Sequence, residues 1–265
     1  MLRALTLGLA ALLPVSVLAN PYADNLSARL VQGWQQGDGS HIVGLELTLK
    51  DGWKTYWRAP GDAGVPPIFS WSGSSNVARV DVIWPKPEVF FQNGMRSIGY
   101  SDRVILPLHV QPAQGGAVEL DGQLQIGICS DICVPLGVDL SALPLPETSR
   151  RNAAIVAALA ERPFTARQGR VRNVSCDVAP AGKKMRLRAQ IELPSTGGNE
   201  VVVFEPRDPS IWVSESVTKR QGNRLIAEVD MMAMTGGAMM LDREALRLTV
   251  LGDASAVEIN GCPAR

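Results

Sequence analysis

Cys129 and Cys133 stand with three residues between them in the run Ile128-Cys129-Ser130-Asp131-Ile132-Cys133-Val134-Pro135. Chain-entropy reasoning credits a disulfide closing so small a loop with roughly 2 kcal/mol, against about 4 to 5 for a loop of eighty or ninety residues. The pair is therefore better suited to exchanging electrons than to holding a fold together. Exchange needs an accessible sulfur and a second cysteine to resolve the mixed disulfide, and a close neighbour supplies the latter. No histidine or basic residue lies beside the pair in sequence, and Asp131 disfavours a thiolate. The alternative is a small surface disulfide that never cycles.

The pair also dictates its local structure. Cysteines four positions apart in an extended strand would be separated by about 13 Å, whereas a disulfide needs Cα atoms within roughly 4.4 to 6.8 Å. Ser130-Asp131-Ile132 must therefore turn, and Ser130 and Asp131 are ordinary turn formers. Zinc would need three or four ligands, and besides the cysteines the chain offers only His41 and His109, each isolated in a strand-like segment. No metal or other cofactor is expected.

Cys176 and Cys262 nearly bracket the second half of the chain. A wide loop gains more from closure, so a structural disulfide is expected there, with a second exchange pair or two free thiols as the competing readings. Met231-Met232-Ala233-Met234-Thr235-Gly236-Gly237-Ala238-Met239-Met240 holds five of the eight methionines. Thioethers are soft ligands for cuprous copper, but methionine also fills irregular cores.

The elements that must position these residues read as strands. Val43, Leu45, Leu47 and Leu49 alternate as in a half-buried strand, and Trp53 to Arg58 continue the pattern after the turn Asp51-Gly52. Further candidates are Val77 to Trp84, Val104 to Val110, Val118 to Ile128 and Val134 to Leu140. Tyr56 and Trp57 point to opposite faces of one strand, so only one can face the cysteines. Thr148 or Ser149 is expected to cap a helix whose apolar face is Ile155, Val156 and Leu159 and which stops at Pro163. A second set of strands follows, Met185 to Leu193 through Val257 to Ile259. The predicted fold class is all-β, with two immunoglobulin-like β-sandwich domains, 20–146 and 164–265, joined by a short helix in 147–163.

Residues 1–19 read as a secretory signal: Arg3, an apolar stretch from Leu5 to Leu13, then Val17-Leu18-Ala19 as the cleavage site. Export to an oxidising compartment follows, where disulfides persist. No later stretch approaches the length of a membrane helix, so the mature chain is not expected to span a membrane. The whole sequence carries 26 basic and 26 acidic residues without a block of like charge, which argues against nucleic acid as a partner.

Four segments occur in one order: Asp51 to Gly64, Trp84-Pro85-Lys86-Pro87-Glu88, Gly99 to Pro107, and the cysteine run. Together they resemble the amino-terminal periplasmic domain family of the thiol:disulfide interchange protein DsbD, and more closely its ScsB-like relatives. The resemblance covers roughly 26 to 146 well and the second half loosely. It implies a redox-active pair, Cys129 and Cys133, that relays electrons from a membrane-embedded thiol donor to periplasmic thioredoxin-like oxidoreductases. A cap loop would fall on Pro87 to Gly94, with Phe90 or Phe91 as the shield and Glu88 as a supporting residue. Tyr56 matches an aromatic residue beside the family's site, and Trp53 and Trp57 are expected in the core. Lacking the family's membrane helices and thioredoxin-like domain, the chain would need a separate donor. The runner-up is a non-catalytic periplasmic protein that binds a partner or copper and carries an inert disulfide.

Overall fold

The computed structural model describes residues 20–61, 64–92, 94–236 and 239–264. The signal segment and its cleavage point after Ala19 lie outside the described residues. So do Asp62, Ala63 and Asn93 of the family-like segments, and Gly237 and Ala238 of the methionine cluster.

The first half of the chain forms ten strands: β1 (Leu26–Gln35), β2 (His41–Leu49), β3 (Lys54–Tyr56), β4 (Ile68–Ser70), β5 (Val77–Val82), β6 (Glu88–Gln92), β7 (Met95–Ser101), β8 (Arg103–Pro112), β9 (Glu119–Cys129) and β10 (Cys133–Pro144). They make two antiparallel sheets, ordered β1-β2-β8-β5 and β10-β9-β3-β7-β6, with β4 also pairing on β9. The inward residues of β2, Val43, Leu45, Leu47 and Leu49, meet Leu120, Leu124, Ile126 and Ile128 of β9 in one core. This is the packing that period-two alternation demands. Fully burying such a side chain is worth about 1.5–3 kcal/mol, so the alternation sets which face of β9 carries Cys129.

Helix α1 (Ala153–Ala160) begins later than expected. Asn152, not Thr148 or Ser149, caps it: its side-chain oxygen accepts from the N–H groups of Ala154 and Ile155 at 3.0 and 3.4 Å, and its amide donates to the Gln32 carbonyl at 3.0 Å. Thr148 cannot serve, because its own carbonyl accepts from the Gln35 N–H at 2.8 Å and holds that stretch extended along β1. Ile155 is buried as expected against Trp34, Ile42 and Ile105 and Leu159 packs partly buried on the same cluster, but Ala158 takes the place of Val156, which is exposed. The helix thus covers the outer side of the β1-β2-β8 sheet, which is why β2 is buried on both faces.

The second half forms β11 (Phe164–Thr165), β12 (Asn173–Ala181), β13 (Lys184–Glu192), β14 (Val201–Glu205), β15 (Ile211–Val213), β16 (Val217–Gln221), β17 (Arg224–Ala233), β18 (Arg247–Leu251) and β19 (Ala256–Asn260). Its sheets run β11-β19-β18-β14 and β12-β13-β17-β15, with β16 pairing on β17. Cys176 on β12 and Cys262 just after β19 are both fully buried and joined, closing a span of 86 positions. The fold is all-β and immunoglobulin-like, as expected, with one short α-helix and a single 3-10 turn, Ala23–Asn25, among the described residues.

The two halves touch through charge and apolar contact. The Arg58 guanidinium donates to Glu205 at 2.8 and 3.1 Å and to Glu258 at 2.7 Å, while stacking 4.3 Å from the Trp57 ring. The Arg96 N–H donates to Glu215 at 2.9 Å, and Leu251 and Ala256 join the first core.

Two outcomes follow. Replacing Cys176 and Cys262 by alanine should cost about 2–5 kcal/mol in chemical denaturation without moving the first sandwich's spectroscopic signature. Arg103 and Arg29, bonded to the buried Glu46 carboxylate, hold it below the usual carboxylate range against the cost of burial. A folded pKa below the unfolded one gives stability that is complete above about pH 4.3 and lost as pH falls through the folded value. The stability gap between wild type and Glu46→Gln should therefore narrow as pH is lowered from 7 to 3.

Candidate functional site

β3 is three residues long, yet it lies between two hairpins. Lys54 and Thr55 pair with Cys129 and Ile128 of β9, and Lys54, Thr55 and Tyr56 pair with Ser101, Tyr100 and Gly99 of β7. Thr55 Oγ1 donates to the Gly127 carbonyl at 2.8 Å and locks this register. Alternation does the rest: Thr55 and Trp57 are buried toward the core, so Lys54 and Tyr56 emerge on the outer face with Cys129.

β9 and β10 form a hairpin whose last paired residues are the two cysteines. Ser130-Asp131-Ile132 makes the turn, with the Ser130 N–H donating to the Ile132 carbonyl at 3.0 Å. Cys129 and Cys133 are joined, their Cα atoms 4.1 Å apart. Their surroundings are unequal. Cys129 is only 6% exposed, whereas Cys133 lies on the exposed surface.

The Tyr56 hydroxyl donates to Cys133 Sγ at 3.3 Å. Burial pushes the phenol pKa up, so this group stays protonated and remains a donor. Gly127 makes room for the ring, since a Cβ there would fall 2.9 Å from it.

The β6–β7 hairpin flanks the other side. Glu88 pairs with Gly99, and Phe90 with Ser97, which continues the face of Tyr56 and Cys129 outward along the sheet. Val89 alternates inward against the core, and Phe91, on that same alternate side, is 73% exposed beyond the core's edge. Glu88 accepts from the Ser101 hydroxyl at 2.8 Å, tying β6 to the strand beside Lys54. The Lys54 ammonium sits 5.0 Å from the Phe90 ring centroid. A cleft of about 690 Å³ is lined by Trp53, Lys54, Phe90, Phe91, Ser130 and Asp131.

The structure thus gathers Cys129, Cys133, Tyr56, Glu88 and Phe90 on one face, with Phe91 at the rim of the cleft. It also adds a residue that reading along the sequence missed. Lys54 is the cross-strand neighbour of Cys129, although seventy-five positions separate them; the signal was its place two residues before Tyr56 on the same strand. Trp57 is core, whereas Trp53 is only partly buried and lies 5.9 Å from the Tyr22 ring. His41 and His109 belong to the opposite sheet. The methionine run divides: Met231 is buried in the second core, while Met232, Met234 and Met240 are exposed. Among the described residues, no three or more His, Cys, Asp or Glu side chains gather as a metal site.

The family model described as "Thiol:disulfide interchange protein DsbD, N-terminal" matches residues 27–144, which contain both site cysteines, Tyr56 and the β6–β7 hairpin. Residues 27–144 belong to the DsbD amino-terminal domain family. The crystal structure of the N-terminal periplasmic domain of ScsB from Proteus mirabilis shares the fold at a TM-score of 0.70 and 24% identity, covering 94% of this chain and 97% of that one. The likeness extends over both sandwiches, beyond the segment that the DsbD family model matches. A protein of unknown function from Porphyromonas gingivalis W83, 10% identical over 89% of this chain and 99% of that one, has a TM-score of 0.22 and bears no weight. No curated protein matches the chain. No helix among the described residues is long and apolar enough to cross a membrane.

The bond from Tyr56 yields a test. A hydrogen bond to a charged group is worth about 1.5–3 kcal/mol, so losing one should shift the titration of the partner thiol by about one pH unit. Tyr56→Phe should stay folded and raise the pH at which reduced Cys133 is alkylated, read from the pH profile of iodoacetamide trapping.

Proposed function

We propose that this protein is a periplasmic thiol:disulfide interchange module that takes electrons from a membrane-embedded dithiol donor and passes them to thioredoxin-like periplasmic oxidoreductases. Cys129 and Cys133 carry the electrons. The observation that supports this most is the unequal exposure of two joined cysteines at a hairpin end, with the Tyr56 hydroxyl aimed at the exposed one.

Exposure orders the steps. A donor thiolate attacks Cys133 Sγ, forming a new sulfur–sulfur bond, and the Cys129–Cys133 bond breaks with its electron pair on Cys129. The donor's second thiolate then attacks the donor sulfur of the mixed disulfide and releases Cys133. The pair gains two electrons and the donor loses two, while the protons shed by the donor thiols match those the new thiolates can take up. Running the same steps in reverse against an oxidised partner delivers the electrons. Tyr56 holds Cys133 and stabilises negative charge as it develops there.

Phe90 serves as the shield in this reading. It shares the face of the cysteines, and its hairpin stands across the cleft from their turn. A partner inserting into that cleft meets Phe90 on one side and the cysteine turn, at Ser130 and Asp131, on the other. Cys176 and Cys262, both fully buried, are the structural pair.

A redox titration against glutathione with mass-tag counting of free thiols tests the assignment. One two-electron transition assigned to Cys129–Cys133 is expected in the folded protein, together with exchange from a reduced thioredoxin-like donor faster than with a linear disulfide peptide. The Cys176–Cys262 bond should resist until the chain unfolds. A pair that exchanges no faster than the peptide, or a Cys129→Ser, Cys133→Ser variant that keeps full activity, would sink the reading.

A further inference from the structure

We propose that Lys54 is the positioning residue that links the shielding hairpin to the oxidation state of the cysteine pair. Its ammonium lies over Phe90 while the sulfurs are joined, and turns to the Cys129 thiolate when they part. The inference rests on the exchange reading above and deepens it.

Lys54 lies directly opposite Cys129 in the β3–β9 register, so the two side chains leave the same face as close neighbours. Its Nζ is 5.0 Å from the Phe90 centroid, within cation–π range. Cys129 is the buried sulfur of the pair, and it is the one that departs with the electron pair when exposed Cys133 is attacked. The cation thus lies over the ring that guards the site, on a residue paired directly across from the one on which charge appears.

The competition has a clear direction. A disulfide carries no net charge, so the ring is the better partner for the ammonium. A thiolate offers a full charge on the cross-strand neighbour, and beside a sulfur as buried as that of Cys129 a charge pair outweighs a surface cation–π contact. While the freed Cys129 is a thiolate, the ammonium is therefore drawn off Phe90 and the hairpin is released; re-forming the disulfide returns it.

Acidic groups surround this face. Asp131 lies in the cysteine turn, Asp51 in the turn before β3, and Glu88 on β6, bonded to the Ser101 that pairs with Lys54. Each works against a thiolate, and the Lys54 ammonium opposes them. Lysine suits such a role, because its compact charge rides on a flexible stem that can reach two neighbours in turn.

Two measurements on the full chain test this, and neither uses a donor protein. In a Cys133→Ser background, where Cys129 is left as the thiol to titrate, Lys54→Met should raise the Cys129 pKa by about 1 and Lys54→Arg should leave it near its starting value. In the wild-type chain, the Lys54 ε-methylene protons should lie upfield through the Phe90 ring current when the pair is oxidised and move downfield when the pair is reduced at a pH that ionises Cys129. Phe90→Leu should remove that difference while the chain stays folded. An unchanged thiol titration in Lys54→Met, or identical Lys54 resonances in the two redox states, overturns the proposal. Failure of the wild-type chain to exchange with a thioredoxin-like donor would instead sink the exchange reading, and would leave these two results to judge Lys54 separately.

Discussion

The site depends on the register of a three-residue strand. β3 joins the cysteine hairpin to the β6–β7 hairpin, and each of its residues is committed to a different contact. Lys54 faces Cys129, Thr55 is bonded inward to Gly127, and Tyr56 reaches Cys133. A slip of one residue would turn Lys54 and Tyr56 toward the core and Thr55 outward, because side chains alternate with period two. Burying a lysine unpaired is costly enough to exclude that register. The core side chains Ile128 and Trp57 therefore hold the cysteine face in place from behind, without touching the sulfurs' solvent side.

This arrangement separates stability from chemistry. The inward faces of β2 and β9 build a dry core, while the outward face of the second sheet leaves Cys133 exposed and Phe90 partly so. The second sandwich extends the same principle. It grips the chain at Arg58, two residues beyond Tyr56, where Glu205 and Glu258 converge on one guanidinium that also stacks on Trp57. Its own long-range disulfide is sealed from solvent. The two bridges thus have opposite characters because one closes a wide loop inside a core and the other a tight turn at an edge.

Much of this was legible along the chain. Alternation in β2 and β9, the turn signals around β3, and the spacing of the cysteines all express local rules. They led correctly to an all-β fold and to a bend at Ser130-Asp131-Ile132. Where local rules compete, reading by sequence went astray. Thr148 and Ser149 are sound caps in isolation, but pairing of Thr148 with Gln35 keeps that stretch extended and hands the cap to Asn152. Val156 was expected on the buried face beside Ile155 and Leu159, but with Ile155 seated against Gly44 and Ile105 it is Ala158 that turns inward in its place.

The sequence by itself determined the chemistry available: two close cysteines, a tyrosine on the outer face of a neighbouring strand, and a segment with two phenylalanines. Only the tertiary structure decided how they are used. It made Cys129 and Cys133 unequal in exposure, put Phe90 rather than Phe91 on their face, and brought Lys54 to a cysteine far away in the chain. The reason is physical. Alternation is a local property of a strand, whereas exposure and cross-strand neighbours arise only when β3 pairs on both sides at once.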